Sequence, residues 1–177
     1  MRIFLFLAIA PLLASCASID GTEKGGGTEV ARANLSIANG ESAGMATLSQ
    51  RTDGLWLQLS ANAPVAGTYG MHVHAVGRCA GPDFTTAGPH WNPGTKQHGQ
   101  GNPMGAHAGD LPNVTTNSNG QLVLEIRLEG ATAYGAGGLL DSDGASLVIH
   151  EKPDDYKTDP SGNSGKRIIC GVFQPDK

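Results

Sequence analysis

The chain has 177 residues, 26 of them glycine and 10 proline, with 5% aromatic residues and a net charge of −4. This length fits one domain rather than two, and the glycine and proline content argues for short elements joined by turns rather than long helices. The mild negative charge points to no nucleic-acid or polyanion partner, and three cysteines are too few for a disulfide-dense scaffold.

Met1-Arg2 gives a positive start, and Ile3 to Leu13 is almost wholly apolar. This run is about half of the ~20 residues a membrane span needs, so it reads as a secretory signal. It ends in Leu13-Ala14-Ser15-Cys16, which resembles the bacterial lipoprotein signal, with cleavage before Cys16 and lipid on its new N-terminus. The alternative is an ordinary cleavage after Ala17 that discards Cys16. The expected organisation is a signal peptide over 1–15, a lipidated Cys16 with a Gly25-Gly26-Gly27 tether over 16–28, and one domain over 29–177. Ala17, where Asp often marks inner-membrane retention in such lipoproteins, favours the outer membrane, with the domain facing the periplasm. Losing Met1–Ser15 removes the charge of Arg2 and takes the net charge from −4 to −5. Both cleavage routes lead to an oxidising compartment, where disulfides persist.

Apolar residues alternate at Ala31, Ala33, Leu35 and Ile37, then at Leu55, Leu57 and Leu59. They alternate again at Leu122, Leu124, Ile126 and Leu128, although Val123 breaks the polar side. A period of two predicts strands with one buried face. Asn39-Gly40, Asp53-Gly54 and Asn119-Gly120 are tight-turn dipeptides at strand ends. Further strands are predicted over Gly70–Val76, Ser146–His150 and Ile168–Phe173. The expected fold is all-β, an antiparallel sandwich or flattened barrel. Two stretches, Gly77–Pro112 and Glu151–Lys166, lack periodicity, and loops this long in a compact domain are usually functional.

Five of the six histidines lie between residues 72 and 107. His72 and His74 are two apart on a predicted strand, so their imidazoles share a face. His90, His98 and His107 belong to the first long loop, Asp110 follows three residues later, and His150 ends a distant strand. A single histidine would be an ordinary hydrogen-bonded residue, but this constellation points to metal binding.

The segments Gly70-Met-His-Val-His74, Ala87-Gly-Pro-His-Trp-Asn-Pro93, Lys96-Gln-His-Gly99, His107-Ala-Gly-Asp-Leu-Pro112, Leu147-Val-Ile-His150 and Gly162-Asn-Ser-Gly-Lys-Arg-Ile-Ile-Cys-Gly171 resemble the Cu/Zn superoxide dismutase family, in its bacterial, envelope-located form. The resemblance spans about residues 29–177, and all six histidines fall on ligand positions. It implies an eight-stranded Greek-key β-sandwich, an architecture for which this family is a standard example. It implies copper on His72, His74, His90 and His150, and zinc on His90, His98, His107 and Asp110, with His90 as the bridge. The donor types agree independently. Three His and one Asp fill a tetrahedral zinc site without an open position, and four imidazoles suit copper(II) with an axial face left for a small molecule.

The resemblance further implies a disulfide between Cys79 and Cys170 and a carboxylate, Asp154, that orients His72 and His98. Arg167 would guide the anionic substrate at the copper channel, with Lys157 and Lys166 either adding to the potential or simply solvated. In the family mechanism His90 carries a proton to the peroxide product. The implied activity is superoxide dismutation, an antioxidant role, by copper redox cycling with a structural zinc. Met71, Ala75 and Ala145 depart from residues common in the family, but none of them removes a ligand. Two rival readings are a copper or zinc buffering protein without turnover and a structural sandwich with relic sites. The partners expected are superoxide and, through the lipid, a membrane; the sequence does not give the oligomeric state.

Overall fold

The computed structural model describes residues 26–176, so the signal peptide and the lipidation of Cys16 expected from the sequence fall outside the described residues. β1 (Thr28–Ile37), β2 (Ser42–Arg51) and β3 (Gly54–Asn62) run antiparallel in sequence, turning at Asn39-Gly40 and Asp53-Gly54 as expected. The chain then crosses over through β4 (Thr68–Tyr69), which lies outside the main sheet, to β5 (Met71–His74) at the far edge of that sheet. A long loop follows, with a 3-10 turn at Thr85–Ala87. β6 (Val114–Thr115) and β7 (Gln121–Leu128) bring the chain back beside β3. It crosses again to β8 (Ser146–His150), β9 (Arg167–Val172) and β10 (Gln174–Pro175).

The hydrogen-bonded order is β5-β8-β9-β1-β2-β3-β7, with β10 also paired to β1 and a short β4-β6 pair alongside. β4 and β5 are one strand interrupted at Gly70, and β9 and β10 one strand interrupted at Phe173. With those joined, the ten segments are the eight strands of a curled Greek-key sandwich, the architecture expected from the sequence.

The core follows the period-two reading. Leu35, Leu55, Leu57, Leu59, Leu122 and Leu128 are buried, as are Leu147, Ile149, Ile169 and Phe173 from the later strands. Burying side chains of this size contributes roughly 1.5–3 kcal/mol each. β2 was not anticipated. Its inward side is mostly small, with Ala43, Ala46 and Leu48 buried beside Ser49, and its register with β1 shifts between Leu35 and Ser36. β8 is buried at all five positions and therefore shows no alternation.

The break at Gly70 positions the site. A Cβ here would lie 2.9 Å from the Ser164 side chain and 3.1 Å from the Lys152 carbonyl. Without one, the Gly70 N–H donates to Lys152 O and the Gly70 carbonyl accepts from His150 N, both at 2.8 Å. The second long loop can therefore lie directly against the strand that carries His72 and His74.

Candidate metal centre

β5 places His72 and His74 on one side, fully buried, between two neighbours. Strand β8 pairs with it on one edge and ends at His150. On the other edge the first long loop bonds through Val73 N to Gly109 O and Trp91 N to Val73 O, which sets His74 opposite His90 and His72 opposite Asp110. All six histidines and Asp110 thus converge from one strand end, one loop and one neighbouring strand.

Backbone and carboxylate partners fix which nitrogen of each ring is free. His74 Nδ1 donates to Gly88 O at 2.9 Å, and His150 Nδ1 donates to Gly165 O at 3.2 Å. His72 Nε2 donates to Asp154 Oδ2 at 2.6 Å. The opposite nitrogens, His72 Nδ1, His74 Nε2 and His150 Nε2, are buried without a partner, as is His90 Nε2. These four residues form a compact set whose donor atoms lie within 4.8 Å of one another. Four orphaned imidazole nitrogens gathered this closely would be costly in an ordinary core; they are a donor set that could hold a metal ion. Burial, then the neighbouring His90, pushes His74 down to about 2; burial, then His72, pushes His150 down to about 3. Burial also pushes His90 down to about 4, against the pull of Asp110. At neutral pH these three rings keep their lone pairs.

A second set meets at Asp110 Oδ1. His90 Nδ1, His98 Nδ1 and His107 Nδ1 approach it at 2.8, 3.0 and 3.1 Å, and His107 Nδ1 is 3.4 Å from His90 Nδ1. Ligands around a tetrahedral ion with bonds of about 2.0–2.1 Å stand roughly 3.3 Å apart, so this cluster is nearly the size of such a site. Burial alone would raise the Asp110 pKa. The His90 hydrogen bond, the Gly99 N–H and the nearby His98 and His107 outweigh that and hold it well below the usual carboxylate range. His72 also lies close enough to group with His90, His98 and Asp110. Its Nε2 is taken by Asp154 and its Nδ1 belongs to the first set, so His107 completes the second. His90 alone offers one nitrogen to each set.

Asp154 joins the two. Its Oδ2 accepts from His72 and its Oδ1 from His98 Nε2 at 3.1 Å and Tyr156 N at 2.6 Å. Burial opposes its ionisation, but these hydrogen bonds prevail and lower its pKa. Such partners orient metal-ligand rings and set their tautomers. Two residues that hold Asp154 escaped the sequence reading. Asn113 grips its backbone twice, accepting Asp154 N at 2.8 Å and donating to Asp154 O at 2.9 Å. Gly162 has φ +64°, and a Cβ there would fall onto Asp154 Oδ1. Asp155, in contrast, is an exposed acid that accepts Lys157 N, Thr158 N and the Asn163 amide and ties its own loop. Replacing Asn113 with Ala should loosen Asp154 and weaken retention of both metals by about 10–100-fold. Competition with a graded series of chelators measures this, and parent-like retention would show that Asn113 does not support the centre.

Cys79 and Cys170 are joined by a disulfide, linking the first long loop to β9. In the chain-entropy model closure of so long a loop adds ~4–5 kcal/mol. The same stretch of loop holds Arg167, whose guanidinium donates to Phe84 O at 2.8 Å and Gly88 O at 2.7 Å. Burial lowers the Arg167 pKa, with Asp83 opposing, and an arginine remains charged at neutral pH. Arg167 lies on the wall of an open channel of about 780 Å³ that reaches His74, His90 and His150. The lysine on that wall is Lys96, accompanied by Asp141, Asp143 and Asp159. Lys157 and Lys166 are exposed and line no part of it.

Residues 42–173 match the family model described as copper/zinc superoxide dismutase. A protein of Aquifex aeolicus named superoxide dismutase [Cu-Zn] 1 is 42% identical over 145 residues, 80% of this chain and 86% of that protein. The crystal structure of a SOD-like protein from Bacillus subtilis superposes with a TM-score of 0.78 at 39% identity, covering 81% of this chain and 97% of that one. A Cu/Zn superoxide dismutase from Brucella abortus gives a TM-score of 0.63 at 26% identity, covering 82% and 100%. With the fold, the matched segment and these relatives in agreement, the chain belongs to the copper/zinc superoxide dismutase family.

Proposed function

We propose that this chain converts two superoxide ions and two protons into dioxygen and hydrogen peroxide. The observation that carries the reading is the set of four orphaned imidazole nitrogens on His72, His74, His90 and His150, the last three of which border a channel walled by Arg167. His72, His74, His90 and His150 would hold copper, and His90, His98, His107 and Asp110 would hold zinc. Copper bound there supplies one-electron redox chemistry, and zinc supplies a fixed positive charge without redox change. Arg167 draws in the superoxide monoanion and orients it by its guanidinium. His90, free at Nε2 and anchored at Nδ1, is the group placed to hold a proton at Nε2 and deliver it to the peroxide product. Asp154 keeps the His72 and His98 rings from turning as charge changes beside them.

A buffering protein needs neither an anion-guiding arginine nor a bridge between two sets, and a relic sandwich would not keep every donor. Purified protein loaded with both metals should consume superoxide. Stoichiometric copper and zinc without turnover would favour buffering, and absence of both metals would favour the relic.

The same proposal extends to location. The Leu13-Ala14-Ser15-Cys16 pattern supports a lipoprotein of the bacterial envelope, with residues 1–15 removed, Cys16 lipidated and the tether over 16–28 leading to the domain over 29–177. Lipid chains anchor at ~0.8 kcal/mol per buried CH₂, and Ala17 favours the outer membrane, facing the periplasm. Cys16→Ser should move the protein from the membrane fraction into the soluble envelope fraction. A parent chain that is already soluble and starts at Ser18 would overturn the lipid anchor.

A further inference from the structure

A second cavity, of about 640 Å³, lies between the first long loop and β7. Ala106, His107, Ala108 and Asp110 line one side and Ile126 and Leu128 the other. It borders the second donor set but not the first: His107 and Asp110 line it, while His72, His74, His90, His98 and His150 do not.

The three imidazoles of that set are held very unequally. His98 is fully buried, with its outer nitrogen on Asp154 and its backbone N–H on Asp159 at 2.6 Å. His90 has its outer nitrogen in the copper set and is 4% exposed. His107 is the most exposed of the three, at 9%. Its Nδ1 reaches only Asp110 and His90, and its backbone N–H bonds Asp110 three residues away. Among the described residues its Nε2 has no hydrogen-bond partner, yet it is not one of the buried orphans, so it faces solvent. Among the described residues no hydrogen bond from outside the cluster fixes this ring, and the groove lies beside it. A ligand without an outer anchor is the easiest one to turn away.

We infer that zinc enters and leaves through this groove, with His107 as the ligand that releases first, by a route separate from the copper channel. His107 also borders the channel, but there the neighbouring zinc ligand is His90, and displacing it would disturb copper as well. On the groove side the neighbour is Asp110, which is no part of the copper set. Zinc therefore exchanges while copper and its channel stay intact.

The inference rests on the two-metal reading above, and zinc release into a chromogenic chelator tests it on the full chain loaded with both metals. Ala108→Leu and Ile126→Phe fill the groove from opposite walls. Each adds buried methylene-sized groups that must be cleared before the ring can turn, so zinc release should slow by about fivefold or more. The copper absorption band should not change. Ile126→Ala, a truncation at a half-buried strand position, widens the groove and should speed release. Ser161→Phe, on the channel wall, should leave zinc release at the parent rate. Parent-like release from both filled variants, or equal slowing by Ser161→Phe, would overturn the separate route. If no variant or parent chain holds zinc at all, the two-metal reading itself fails.

Discussion

His150→Ala should abolish activity and copper binding while leaving zinc in place. His150 reaches the site from β8, and its Nε2 is one of four buried nitrogens without a partner. Its Nδ1 is held by Gly165 O, so the ring is already oriented before any ion arrives. Removing an outer partner of a metal ligand commonly costs 10–100-fold in affinity or activity; removing the ligand itself should cost more than about a hundredfold in both. Zinc should survive, because His90, His98, His107 and Asp110 gather on the loop side of β5, opposite the edge occupied by β8. Metal analysis of the folded variant, with the Cys79–Cys170 disulfide as a check on folding, reads both quantities together. Equal loss of the two metals would break the division of ligands between them.

The difference between what the sequence disclosed and what it concealed has a physical basis. Strands β1, β3 and β7 were legible because their apolar residues recur at every second position, as at Ala31, Ala33 and Leu35 or at Leu55, Leu57 and Leu59. β2 was not, because its buried residues Ala43, Ala46, Leu48 and Ser49 do not keep a period of two. β4, β6 and β10 are two residues each, too short to show any period. The clustering of the histidines with Asp110 was legible because histidine is chemically specific, and because the motifs around each one matched a family pattern. The supports of Asp154 were not. Asn113 is an amide 41 residues away, and Gly162 contributes the absence of a side chain. Neither residue type suggests a metal site; only the folding of one loop against the other gives them that role. The same holds for the channel wall, where Lys96 sits rather than Lys157 or Lys166.

Arg167→Glu should lower the rate constant for superoxide by at least about tenfold with copper and zinc contents unchanged. The substrate is a monoanion, and the chain without Met1–Ser15 carries a net −5, so the overall field repels it. Three carboxylates on the channel wall, from Asp141, Asp143 and Asp159, add to that repulsion. Attraction falls to Arg167 and Lys96, and Arg167 is the better placed: its guanidinium is locked by Phe84 O and Gly88 O, and Gly88 O also accepts from His74, one of the four proposed copper ligands. The charge therefore has a fixed position relative to the metal set. Superoxide dismutase is a standard example of an enzyme near the diffusional ceiling of ~10⁸–10⁹ M⁻¹s⁻¹. At that limit the rate reports capture, and focused charge can raise capture tenfold or more. Replacing a cation by an anion at the same point reverses the local field. Salt should slow the parent protein, because screening shortens the reach of the field to ~8 Å near physiological strength. In the Glu variant that dependence should weaken or reverse, since screening then weakens a repulsion. Arg167→Lys keeps the charge but cannot hold both carbonyls in the same way, so it should fall between the two and keep the parent's direction of salt dependence. Parent-like rate and salt dependence in Arg167→Glu would show that the channel guides its substrate by some other group, and Lys96 would then be the first to test.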